Sequence, residues 1–149
     1  MSRAIANSNV PPAGQGEDLA KLWKTVVSSR LPAFEASAAV ARTADEHWTA
    51  YNRGIHVWGR VAGIEHLLRE KAPLEHARLA AEIAVIVQRI SELATRAAQM
   101  VLADKANSAP LFKHLLRSGR LPELEAACNG DLPTPAPIFP GQPPGLSRK

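Results

Sequence analysis

The chain has 149 residues, 46% of them hydrophobic and 21% charged, which suits one globular domain large enough to fold without disulfides or metals. Its one cysteine, Cys128, excludes an intrachain disulfide, and no apolar run approaches the ~20 residues of a membrane span. The net charge of +4 is spread evenly, with nine Lys/Arg against seven Asp/Glu in residues 1–71 and again in 72–149, so neither half is a basic arm.

Residues 1–16 carry Pro11, Pro12, Gly14 and Gly16 and no periodic pattern. They read as a disordered arm, and without an apolar stretch they do not resemble a signal peptide. A cytoplasmic location is therefore the expectation, and the abundance of Ala, Arg, Gly and Pro has the look of a GC-rich bacterial or phage genome. Glu17 and Asp18 open a first helix with charges that suit its N-terminal dipole. Leu19, Leu22, Trp23, Val26 and Val27 recur at helical spacing along it. It is expected to stop near Arg30, because Pro32 disfavours helical geometry at Leu31.

Pro32 fits the first turn of the next helix. Phe34, Ser37, Ala41, Ala44, Trp48, Tyr51, Ile55, Trp58 and Ala62 then step by threes and fours, a seam of small residues with large aromatics. Glycines at 54, 59 and 63 weaken this helix by about 1 kcal/mol each relative to alanine, which predicts a bend or break near Gly54 and an end near Glu70. Pro73 starts the strongest helix in the chain, Leu74 to Ala103. Its Leu79, Ile83, Ile86, Ile90, Leu93, Ala97 and Met100 follow a heptad seam. The short link at Ala72 and Pro73 predicts antiparallel pairing with the helix before it. The stretch 79–87 is apolar nearly all round, so the first helix, the C-terminal helices or a second chain must cover what one partner leaves open.

Pro110 opens a short helix with Leu111, Phe112, Leu115 and Leu116 on one side, ended by Ser118-Gly119. Pro122 opens another that Asn129-Gly130 closes. From Asp131 onward six prolines point to an extended, disordered tail over 131–149, whose Ile138-Phe139 is an apolar pair and whose proline spacing matches a minimal ligand for an aromatic groove. The fold class expected is all-α: a helical bundle over 17–130 built on a long antiparallel hairpin, with short flanking helices.

No motif with chemistry attached emerges. Histidines 47, 56, 66, 76 and 114 lack metal-ligand spacing, Cys128 has no neighbouring base, and the glycines form no phosphate loop. Neither a cofactor nor a metal is expected, and the chain reads as non-enzymatic. Two segments stand out as binding candidates. Trp48 to Arg60 packs Trp48, Tyr51, Arg53, His56, Trp58 and Arg60 into thirteen positions, residue types favoured at interface hot spots and able to stack bases. The same aromatics could instead fill the core while the arginines reach outward. Lys113, His114, Arg117 and Arg120 form a local basic patch, either a phosphate grip or a solvated face. The function expected is a protein-interaction module, as a homodimer or in a hetero-complex. The alternative is a small helical nucleic-acid-contacting subunit of a ribonucleoprotein, plasmid or phage complex. No membrane partner is expected.

Overall fold

A computed structural model describes residues 13–104 and 107–133. Residues 1–12 of the expected arm over 1–16, and residues 134–149 of the expected tail over 131–149, lie outside the described residues. Helix α1 covers Ala13–Thr25 and passes through a π-helical turn, Val26–Arg30, directly into α2, Leu31–Val40. Helix α3 is Ala44–Lys71, α4 is Pro73–Ala103, α5 is Ala109–Ser118 and α6 is Leu121–Ala127. The fold is all-α, and a single residue, Ala72, joins α3 to α4 in the long antiparallel hairpin.

The first rod corrects the expected break at Arg30. Pro32 has no N–H to give to a helical carbonyl. The chain answers by widening the turn ahead of it: the Leu31 N–H bonds back to the carbonyl of Val26, five residues away. The buried seam therefore runs Leu19, Trp23, Val26, Leu31, Phe34, with a five-residue step across the π turn. An α-helix would have brought position 30 into that seam. The insertion turns Arg30 outward and Leu31 inward. Leu22, expected on the apolar face, is 47% exposed. The rod also begins at Ala13, inside the expected arm, so Glu17 and Asp18 lie beyond its first turn.

The break falls at 41–43 instead of Gly54. Ala41 is extended, and Thr43 caps α3 with Glu46 in a reciprocal capping box: the Glu46 N–H donates to Thr43 Oγ1 at 3.1 Å, and Glu46 Oε1 accepts from the Thr43 N–H at 3.2 Å. Helix α3 then runs unbroken through Gly54. Gly54 serves close approach, since a Cβ there would lie 2.7 Å from Cε1 and Cζ of Phe34. Phe34 beside Gly54 and Gly16 beside Ala72 make the first rod antiparallel to α3. Trp23 Nε1 donates to Glu82 Oε1 at 3.0 Å and Arg89 Nε to Glu35 Oε2 at 2.7 Å, which runs the first rod parallel to α4. Three long helical rods thus go up, down and up, and α5 and α6 cover one side. Arg69, Glu65 and His76 clip α3 to α4 near their turn.

The core face of α3 is Tyr51, Gly54, Val57, Val61, Ile64 and Leu68. On α4 it is Ile83, Ile90, Ala94, Ala97, Ala98 and Val101. Leu79, Ile86 and Leu93 of the expected seam are half-buried, while Met100 is 44% exposed. Leu111, Phe112 and Leu115 of α5 are buried, but Leu116 is 65% exposed. Gly119 and Gly130 end the two short helices with φ of 73° and 86°, a conformation that glycine adopts without a Cβ clash.

Candidate interaction surfaces

The aromatic half of the Trp48–Arg60 segment is a brace. Trp48, Tyr51 and Trp58 step along one side of α3, and each meets the C-terminal segment. Tyr51 is fully buried, and its hydroxyl donates to Glu123 Oε2 at 2.8 Å. Glu123 also receives two bonds from Arg120, Nε to Oε1 at 3.0 Å and an outer guanidinium nitrogen to Oε2 at 2.8 Å. The same guanidinium lies 4.6 Å from the Trp48 ring centroid, and Trp48 stacks on Tyr51 at 5.6 Å. Further along, Trp58 Nε1 donates to the carbonyl of Pro133 at 3.1 Å. Gln99 of α4 reaches the carbonyl of Cys128 at 2.9 Å. The threes-and-fours spacing of the aromatics is real, but the side it marks carries α6 and residues 131–133.

This cluster has its own electrostatics. Burial, followed by the hydrogen bond and charge of Glu123, pushes the Tyr51 hydroxyl far above its ordinary range, so it stays a proton donor. Burial acts to raise the Glu123 carboxyl as well. The hydrogen bonds from Arg120 and Tyr51 and the charge of Arg120 outweigh it and hold the carboxyl below its usual value. Cys128 nearby is pushed up, first by burial and then by Glu125, which keeps it a thiol.

The cationic half of the segment faces solvent. Arg53, His56 and Arg60 are exposed, and none has a hydrogen bond or ion pair among the described residues. Their spacing of three and four residues places them on one side of α3. Arg30, which the sequence reading passed over, joins Arg53 and His56 around a cleft of about 360 Å³. Nothing in the residue spacing marks Arg30, since its place follows from the π turn, which the structure alone shows. On α5, Lys113, His114 and Arg117 are exposed, with no side-chain partner among the described residues. Arg120 does not belong with them, because Glu123 and Trp48 engage its guanidinium.

The open apolar surface lies on α4. Leu74 is 87% exposed and Val85 68%, with Ala77, Ala81 and Ala84 exposed between them. The first rod meets α4 along its Leu79, Glu82 and Arg89 side, across a groove lined by Trp23, Val27, Leu79 and Glu82. Neither it nor the C-terminal helices cover Val85. No protein-family model, curated protein or solved structure matches the chain.

Proposed function

We propose that this protein is a non-enzymatic helical interaction module that associates through the open side of α4, with a second copy of itself as partner. One observation carries the reading: Leu74, Ala77, Ala81, Ala84 and Val85 are exposed on about three turns of one helix, beside a single Arg78–Glu75 ion pair. Apolar surface left in water gains about 25 cal/mol per Å² when a facing surface covers it. Ala77 and Ala81 are small enough for a second helix to come close. Beyond Val85 the stripe passes into exposed Gln88 and Glu92, a polar boundary of the kind that rims interfaces. A symmetric dimer is the commonest closed arrangement, because one self-complementary patch serves both chains.

Light scattering coupled to size exclusion at micromolar concentration tests the reading. The wild type should run near twice 16.0 kDa. The double variant Ala81→Glu/Val85→Glu should run at the single mass with its helical signal unchanged. A wild type that stays at the single mass across the micromolar range defeats the second-copy reading.

A further inference from the structure

We infer that the cleft between the π-helical turn and the middle of α3 binds a phosphate group carried on a small organic body. Arg30, Ala33, Phe34, Arg53, His56 and Val57 line it. A guanidinium stands on each wall, Arg30 at the end of the π turn and Arg53 on α3, with the His56 imidazole three residues further along α3. None of the three is paired among the described residues, and no carboxylate lines the cleft. Arg69, Arg78, Arg89 and Arg120 each meet a glutamate, whereas Arg60, Arg96 and Arg117, like Arg30 and Arg53, have no ion pair among the described residues. Here two arginines and a histidine share one concavity with nothing to neutralise them.

The backbone makes an unusual adjustment at the same place. The α-helical period of Leu19, Trp23 and Val26 leads next to position 30, which would direct a guanidinium into the core. The extra residue of the π turn sends Leu31 inward and Arg30 to the cleft. Such turns are rare within α-helices and concentrate at functional sites. The five-residue step and the unpaired cluster therefore meet at one residue.

The chemistry fits a phosphomonoester. Its three terminal oxygens carry up to two charges near neutral pH, and guanidinium forks match them with charge-assisted bonds. A ring nitrogen of His56 supplies a further donor. Phe34 and Val57 close the cleft from beneath with almost no exposed surface of their own, so contact with an attached organic group falls to the exposed Ala33 and the aliphatic stems of the arginines. Arg60, one turn along α3, adds attraction at longer range. This site stands apart from the α4 stripe, so a monomeric result in the association experiment leaves it intact.

The test is a titration of isotope-labelled full-length chain with phenyl phosphate, read by NMR at the amides of Ala33, Arg53 and Val57. Saturable shifts are expected there. Arg30→Gln and Arg53→Gln should each weaken binding about tenfold, the scale of one charged hydrogen-bonding group. Arg53→Lys, which keeps the charge but loses the fork, should recover only part of the loss, and Arg117→Gln should change nothing. All three substituted residues are exposed, and circular dichroism checks that the fold persists. A short oligonucleotide with a 5′-phosphate should compete, and its 5′-hydroxyl twin should not. The inference is overturned if phenyl phosphate gives no saturation, or if the Arg→Gln variants bind as tightly as wild type. It is equally overturned if both oligonucleotides bind alike while phenyl phosphate does not, which would mark a diffuse positive surface.

Discussion

Gly54 is where α2 and α3 touch, and its missing Cβ is what Phe34 occupies. Alanine there gains about 1 kcal/mol of helix propensity. It also forces a methyl against a ring with no exposed surface, and overpacking of that kind costs about 1–3 kcal/mol. Gly54→Ala should therefore lower stability by roughly 1 kcal/mol net in denaturant melts. A stabilised variant would show that the Phe34 ring moves aside freely. Glu123 makes a second prediction at this scale. Its carboxyl is held below its ordinary value in the folded state. The stability it contributes is therefore present above the unfolded value, about 4.3, and is lost as pH falls through the folded one. Glu123→Gln should flatten the acid limb of the stability curve relative to wild type. Tyr51 acts with the opposite sign: its raised hydroxyl contributes stability that declines as pH rises past about 10, and Tyr51→Phe should remove that decline.

Helix α4 shows how an element can carry a regular pattern and still bury only part of it. Ile90 has no exposed surface, whereas Met100, two turns and more along the same heptad seam, is 44% exposed. Ile90→Ala should cost on the order of 2–5 kcal/mol, and Met100→Ala should stay within about half a kcal/mol. Equal losses in chemical denaturation would mean that Met100 packs as the seam implies. Helix α3 teaches the complementary lesson. It divides into a side for the bundle core, a side of Trp48, Tyr51 and Trp58 for the C-terminal segment, and an open cationic side. One helical period in the sequence cannot distinguish which of two packed sides it describes.

At the scale of the whole molecule, the long hairpin depends on the first rod. That rod fills the space over Gly54 with Phe34, brings Trp23 to Glu82 and sets Glu35 against Arg89. A two-helix hairpin alone would leave Val57, Val61 and Ile64 short of cover, and a core that small holds little stability. A chain lacking residues 1–41 should therefore melt without a sharp cooperative transition. A steep two-state melt near the wild-type midpoint would show that the hairpin and the C-terminal helices suffice.

The sequence alone specifies the helical class, the α3–α4 hairpin across a short link, and the two short helices with their glycine stops. Those features rest on local chemistry: proline at first turns, glycine past helix ends and a strong apolar period in 74–103. It also contained the true start of α3, since Thr43-x-x-Glu46 is a capping box, but the run of small residues through Ala41 and Ala44 concealed it. Only the tertiary structure decided the continuity of the first rod, because a π turn is a compromise between a proline, which resists the helix, and a core that needs Leu31 and Phe34 inside. The structure likewise decided that Trp48, Tyr51 and Trp58 brace the C-terminal segment, that Arg120 joins them, and that Arg30 faces Arg53 and His56. Those are meetings of residues from different elements, and no spacing within one element encodes what will be packed against it.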